Sequence, residues 1–243
     1  MNNIALVIDT NSNYSDVWPP CFGRLEKYCS NIKKYAFTDS AENIPENITP
    51  IIYDNEASYR NQILSCIKQV KEEFIIYTSE DYILYDSVNL EEIYRVCKVL
   101  SKSHFSFCKL IKGPELTMHL GENLYVIEQQ SHNLFAQQAS IWKTRKFEQI
   151  FQEAPPENTR MQHEPQGSEL CRRLNITGLQ YYSGTPKRGL HHHDSGIYPY
   201  IATAVVKGKW NITEYPEEMR LVSAEYNIDF NKRGLVPSYS INL

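Results

Sequence analysis

Between Ala57 and Glu73 the apolar residues fall at Tyr59, Ile63, Cys66, Ile67 and Val70, and the chain then passes without a spacer into Phe74-Ile75-Ile76-Tyr77. The first pattern has a 3.6-residue period and predicts an amphipathic helix; the second is a short unbroken apolar run and predicts a fully buried strand. A helix feeding a buried strand is the unit of layered α/β folds. The same alternation runs through the first half. Ile4 to Ile8 reads as a strand that empties into Asp9-Thr10-Asn11, Trp18-Pro19-Pro20 breaks the chain, and Cys21 to Cys29 reads as a short helix. Tyr35-Ala36-Phe37 and Ile51-Ile52-Tyr53 are two further strands; Leu90, Ile93, Cys97 and Leu100 mark a helix, and Phe105 to Leu110 a strand. This order predicts an α/β fold with a mixed, mostly parallel central sheet and helices on both faces.

Beyond Lys112 the character changes. Short strands (Leu124–Ile127, Leu179–Tyr182, Ala202–Val206) alternate with helices near 142–152, 167–174 and 216–225, and long polar stretches lie at 153–166 and 185–195. Polar loops of that length inside a compact domain are more often functional than idle. No internal repeat or low-complexity tract breaks the chain, so residues 1–243 read as one domain with two unequal halves, about 1–111 and 112–243.

Apolar residues make up 42% and charged residues 22%, which excludes bulk disorder. Twenty-five basic residues against 29 acidic give a formal charge of −4, so no broad cationic field gathers nucleic acid or anionic lipid. The six cysteines, at 21, 29, 66, 97, 108 and 171, form no CxxC, and Cys66 and Cys97 fall on apolar helix stripes. That usage suits buried free thiols in a reducing compartment. The N-terminal apolar run reads as a strand rather than a signal peptide, and no run approaches the ~18 apolar residues of a membrane span. The expectation is a soluble cytoplasmic protein, with peripheral membrane association left open and the oligomeric state unread.

Chemistry concentrates where strands end. Tyr77-Thr78-Ser79-Glu80-Asp81-Tyr82 places two acids directly after a buried strand, at the edge where open α/β sheets bind ligands. Adjacent carboxylates there either hold a hard divalent cation that neutralises a diphosphate, or are simply solvated in a turn. The first strand empties into Asp9-Thr10-Asn11-Ser12-Asn13-Tyr14-Ser15-Asp16, rich in groups that read base and ribose edges, and Arg60 on the following helix can reach toward the same edge. His191-His192-His193-Asp194 puts His191 and His193 on one face of an extended segment, as metal ligands or as a plain surface loop. Lys207 and Lys209 flank Gly208, where close backbone approach and a point charge suit a phosphate, or a solvated hairpin turn.

Four stretches stand out: Phe74 to Asp81, Gln137-Gln138-Ala139-Ser140-Ile141-Trp142-Lys143, His163-Glu164-Pro165-Gln166-Gly167-Ser168-Glu169, and Ala204-Val205-Val206-Lys207-Gly208-Lys209-Trp210. Together they resemble GT-A type nucleotide-sugar glycosyltransferases, specifically a bacterial and phage-like group with an xED acidic motif. The resemblance implies a GT-A-like (Rossmann-like) domain whose first half binds the nucleotide and whose second faces the acceptor. It implies that Thr10, Asn11, Tyr14, Asp16, Arg60, Lys207 and Lys209 hold the nucleotide. Asp81, with Glu80 and a late histidine such as His193, would hold Mn²⁺ or Mg²⁺. Gln138, Trp142 and Glu80 would shape the sugar pocket, in a small-residue turn leading into a helix that starts with Trp142. Glu164, before a Gly-Ser helix start, would be the general base of an inverting transfer, with Glu169 the alternative. The implied donor is a UDP-sugar and the acceptor a surface polysaccharide or lipid-linked saccharide; a nucleic-acid acceptor is disfavoured by the missing basic stripe.

Three rivals stand beside this reading. A nucleotidyltransferase acting on a sugar phosphate normally carries a Gly-rich basic loop after the first strand, whereas Asp9 to Asn13 holds neither Gly nor Lys. A non-catalytic domain of the same fold would bind a saccharide or a partner. A metal hydrolase built on the histidine run has only Asp194 close by.

Overall fold

A computed structural model describes residues 3–113, 115–157, 163–188 and 193–237. The first strand, β1 (Ile4–Asp9), is buried along its whole length, because every side chain meets a helix layer on one face or the other. A 3₁₀ turn (Ser12–Tyr14) leads to α1 (Trp18–Tyr28). Pro19 and Pro20 do not break the chain as expected. They sit in the first turn of α1, where the N–H that proline lacks has no intrahelical acceptor. Then come β2 (Lys33–Thr38), β3 (Thr49–Ile52), α2 (Tyr59–Ile67), β4 (Phe74–Ser79), β5 (Ile83–Leu84), α3 (Leu90–Ser101) and β6 (Phe107–Lys109). The α3 helix is capped by Asn89, whose side chain accepts from the Glu92 N–H at 3.1 Å.

The second half adds β7 (Met118–Gly121), β8 (Leu124–Val126), β9 (Ser140–Lys143), α4 (Thr144–Glu153), α5 (His163–Arg173) and β10 (Gly178–Tyr181). It ends with β11 (Tyr200–Ile201), β12 (Val205–Val206), β13 (Lys209–Trp210), α6 (Pro216–Tyr226) and α7 (Phe230–Arg233). Nine strands form one sheet in the order β3-β2-β1-β4-β9-β6-β10-β8-β7. Only β9 and β8 run against the rest, so the central sheet is mixed and mostly parallel, as the sequence predicts.

Strand alternation divides the core. Ala5, Val7, Ile75 and Tyr77 face α2, α4 and α5, while Leu6, Ile8 and Ile76 face α1, α3 and α6. The sequence reading missed β9, treating it as the approach to a helix beginning at Trp142. That helix begins at Thr144, and Ser140–Lys143 wedges antiparallel between β4 and β6, with Tyr77 opposite Ser140. A four-residue strand abutting a helix leaves no period to read. All six cysteines are free and buried, and burial pushes thiols such as Cys66 up to about 12. Among the described residues no helix is long and apolar enough to cross a membrane.

Candidate functional site

From β1 the chain winds through β2 and β3 on one side, and β4 then lies on the other, so the strand order reverses between β1 and β4. Their carboxyl ends, Asp9 and Ser79, lie side by side. Open α/β sheets bind ligands at such a switch point. The antiparallel start of β9 brings Gln137 to Ala139 to the same edge, and β5, just past Glu80 and Asp81, pairs with β11 to form a second small sheet.

Hydrogen bonds join these parts. The Tyr77 and Tyr59 hydroxyls donate to the Asp9 carboxylate at 2.7 and 3.0 Å. The Gln137 side chain donates to the Tyr59 hydroxyl at 3.4 Å, and its backbone N–H donates to the Glu164 carboxylate at 2.6 Å. Tyr82 donates to the Gln137 carbonyl, and Tyr200 donates to the Gln138 side chain at 3.0 Å. The result is a tyrosine-rich edge running from Asp9 to Glu164. Asp9, Tyr59, Tyr77, Tyr82 and Gln137 were not singled out from the sequence. Tyr59 and Tyr77 counted there as apolar positions of a helix and a strand, and only the register reveals their shared partner.

Glu164 is exposed in the first turn of α5 rather than in a loop before it. Gly167 and Ser168 lie within that helix and have structural work. A Cβ on Gly167 would sit 2.7 Å from the Phe135 ring, and the Ser168 hydroxyl accepts from the Phe135 N–H and donates to the His132 carbonyl, both at 3.0 Å. Beneath this segment Lys109 is 1% exposed and donates to the Asn133 carbonyl. Burial lowers its pKa to about 8, against the opposing pull of Glu164 and Cys171.

Several residues expected to read a nucleotide are occupied otherwise. Thr10 is fully buried; its N–H donates to Phe37, its hydroxyl accepts from the Trp18 indole at 2.7 Å, and its carbonyl accepts from Tyr53. Asn11 caps the 3₁₀ turn and donates to Asn55 at 2.9 Å. Asp16 is paired with Arg233, whose guanidinium also lies 4.4 Å from the Tyr14 ring centroid. Arg60 turns away from the sheet edge and donates to the Phe151 and Gln152 carbonyls, both at 2.9 Å, where the last carbonyls of α4 lack intrahelical partners. Lys207 and Lys209 are exposed on the β12–β13 hairpin, whose two turn residues Lys207 and Gly208 have φ of 50° and 77°. That is the turn a two-residue hairpin prefers.

The sugar-pocket expectation for Trp142 is overturned. Its ring is 2% exposed, stacks on Phe107 at 4.2 Å and meets Phe147 edge-on at 5.5 Å, deep in the α4 layer. Gln138, by contrast, does lie at the sheet edge, held by Tyr200.

Glu80 is buried and Asp81 half-buried at the end of β4. After burial itself, their charges push the Cys21 thiol up. His193 keeps its Nδ1 3.2 Å from the Thr185 carbonyl and its ring against Tyr182; His191 and His192 lie outside the described residues. Among the described residues no three of His, Cys, Asp and Glu gather as a metal-ligand set. The described residues therefore offer no donor set of the zinc type. Two neighbouring carboxylates do suit Mg²⁺ or Mn²⁺ brought in with phosphate oxygens, since such ions are usually bound through one or two carboxylates plus substrate phosphates and water.

No family model matches the chain, and no curated protein does. Solved structures do. S. aureus TarS (residues 1–349) in complex with UDP shares 16% identity at a TM-score of 0.51, over 92% of this chain and 65% of its own. A longer TarS structure gives 15% identity and a TM-score of 0.52, over 92% of this chain and 39% of its own. A cytidylyltransferase from Leptospira borgpetersenii serovar Hardjo-bovis (strain JB197) gives 12% identity and a TM-score of 0.50, over 95% of this chain and 98% of its own. What is shared is the fold. The chain spans less than two thirds of either TarS structure.

Proposed function

We propose that this chain is a glycosyltransferase that moves a sugar from a nucleoside-diphosphate donor, a UDP-sugar, to an acceptor hydroxyl with inversion. The observation that carries the reading is Glu164, an exposed carboxylate held at 2.6 Å by the Gln137 N–H, whose side chain reaches the Tyr59–Asp9 pair at the switch point. In the reaction the acceptor oxygen attacks the anomeric carbon and its proton passes to Glu164. The bond from that carbon to the phosphate oxygen breaks, and the nucleoside diphosphate leaves with the electron pair. Asp81, with Glu80, would hold the Mn²⁺ or Mg²⁺ ion, which when bound neutralises the leaving diphosphate. Gln138 borders the donor sugar. The acceptor is a surface polysaccharide or lipid-linked saccharide, and the net charge of −4 weighs against nucleic acid. That TarS binds UDP on a similar fold supports the choice of donor.

The near end-to-end alignment with a cytidylyltransferase favours a second reading, nucleotidyl transfer to a sugar phosphate. The loop after β1 counts against it. The N–H groups of Thr10, Ser12, Asn13, Tyr14 and Ser15 all donate within the protein, to Phe37, Asp39, Asn11 and Ser12, so they do not form an open cradle for phosphate.

The test supplies UDP-sugars with saccharide acceptors, and separately CTP or UTP with sugar phosphates. Release of UDP is expected in the first and no pyrophosphate in the second. Glu164→Gln is expected to lower kcat by roughly 10²–10⁴-fold while UDP still raises the melting temperature. Pyrophosphate release, or a Glu164→Gln enzyme of undiminished kcat, refutes the reading.

A further inference from the structure

We propose that the cavity beside Glu164 is the acceptor pocket and that it takes a saccharide bearing an anionic group, a phosphate or a carboxylate. The inference rests on the glycosyltransferase reading and adds the substrate class. The cavity has a volume of about 360 Å³, within the range of small-molecule sites. Glu164, Pro165, Ser168 and Arg172 line it from α5, and His132 and Phe135 from the facing loop. Residues 164, 168 and 172 are four apart and share one helix face, so Glu164 and Arg172 stand about 12 Å apart along the axis. The walls are preformed, because Ser168 pins both His132 and Phe135.

The charge of this groove is lopsided. Glu164 is its one lining acid among the described residues, whereas Arg172 lines it two turns further along α5 and the Lys109 ammonium lies beneath, bonded to Asn133 of the same wall. Arg172 is also distinctive among its kind. Of nine arginines among the described residues, seven pair with a carboxylate and Arg60 donates to helix-end carbonyls, which leaves one, Arg172. Arg172 donates to the Ser131 carbonyl at 3.3 Å and meets no carboxylate among the described residues. A guanidinium has five N–H donors and grips phosphate or carboxylate through two of them at once. An acceptor lying along α5 with its hydroxyl at Glu164 therefore meets an anion site about two helical turns away.

Calorimetric titration tests this without turnover. The probes are N-acetylglucosamine 6-phosphate, glucuronate, inorganic phosphate and neutral N-acetylglucosamine, on wild type, Arg172→Gln, Arg172→Lys and, as a control on α6, Arg220→Gln. The charged saccharides are expected to bind at least tenfold more tightly than the neutral one. Arg172→Gln removes that preference, Arg172→Lys keeps only part of it because an ammonium supplies the charge without the two-pronged grip, and Arg220→Gln keeps it. The phosphate and glucuronate arms identify which anion is preferred, and inorganic phosphate alone shows whether the sugar is needed. Equal binding of charged and neutral sugars, or an Arg172→Gln variant with its preference intact, overturns the proposal. A UDP melting-temperature shift measured on the same samples separates the two failures. If UDP still binds, only the acceptor assignment falls; if UDP leaves the melting curve unmoved, the transferase reading falls and takes the acceptor role with it.

Discussion

Substituting Trp142 separates a core residue from a sugar platform. The ring is 2% exposed and packs on Phe107, Phe135 and Phe147 with centroid distances of 4.2, 5.6 and 5.5 Å. A buried Trp removes up to about 250 Å² from water. At about 25 cal/mol per Å² that is ~6 kcal/mol, an upper figure because the unfolded chain already hides part of that surface. Measured truncations of such residues cost about 3–5 kcal/mol. Against a typical domain stability of roughly 5–15 kcal/mol, Trp142→Ala consumes a large fraction and is a poor probe of function. Trp142→Phe keeps an aromatic ring and is expected to cost about 1–2 kcal/mol. Urea unfolding followed by far-ultraviolet circular dichroism measures the loss, and the UDP-dependent melting shift measures the site. The expected outcome is lower stability with UDP-sugar affinity within twofold of wild type. A Trp142→Phe protein of unchanged stability whose donor affinity falls tenfold would refute the core assignment.

Two further substitutions probe the frame around the site. A Cβ on Gly178 would fall 2.1 Å from the Phe107 ring, already stacked on Trp142, so Gly178→Ala is expected to cost about 2–3 kcal/mol by overpacking. Combining it with Phe107→Leu should recover part of that loss in a double-mutant cycle, and strict additivity would contradict the contact. Burial lowers Lys109 from 10.5 to about 8, so between pH 8 and 10.5 the unfolded chain holds a proton that the folded chain has released. Stability from this group therefore rises with pH across that window, by about 3 kcal/mol at 1.36 kcal/mol per unit. The stability of wild type relative to Lys109→Met should climb by that amount from pH 7.5 to 10.5 in denaturant titrations, and a flat difference rules out a buried ammonium.

Long periodic segments were readable because their pattern has one interpretation. The α2 stripe fixes a helix by its period, the short β4 run reads as a strand by its length and its place directly after that helix, and the mostly parallel sheet follows from their order. The polar residues were harder, because a group able to read a ligand is equally able to close a turn. Thr10, Asn11 and Asp16 have the right chemistry for a nucleotide, yet Trp18, Asn55 and Arg233 take up their hydrogen-bonding groups. Arg60 was placed by helix period, which gives its face but not its reach, and the ends of α4 decide that reach. Trp142 was misread for want of β9: seen as a helix start it can face a cleft, but as a central strand residue opposite Ile75 it faces α4. Glu164 and Gln138 entered as candidates through the family resemblance; the Gly-Ser pair read as a helix start after Glu164 lies inside α5, and the partners of both residues depend on tertiary register.

The insertion of β9 also explains how residues so distant in sequence share one edge. Because β9 runs antiparallel, its entry rather than its exit lies beside the end of β4. The entry segment is bonded on both flanks: Gln137 to Glu164 of α5 on one side, and Gln138 to Tyr200 of β11 on the other. Since β11 pairs with β5 immediately after Glu80 and Asp81, two consecutive residues connect the acidic pair to the proposed base. A parallel strand in the same slot would put its own carboxyl end there, followed directly by α4, and Glu164 would lose the backbone donor that orients it. The reversed strand is thus what brings the β1–β4 switch point and the Glu164 carboxylate to one edge of the sheet.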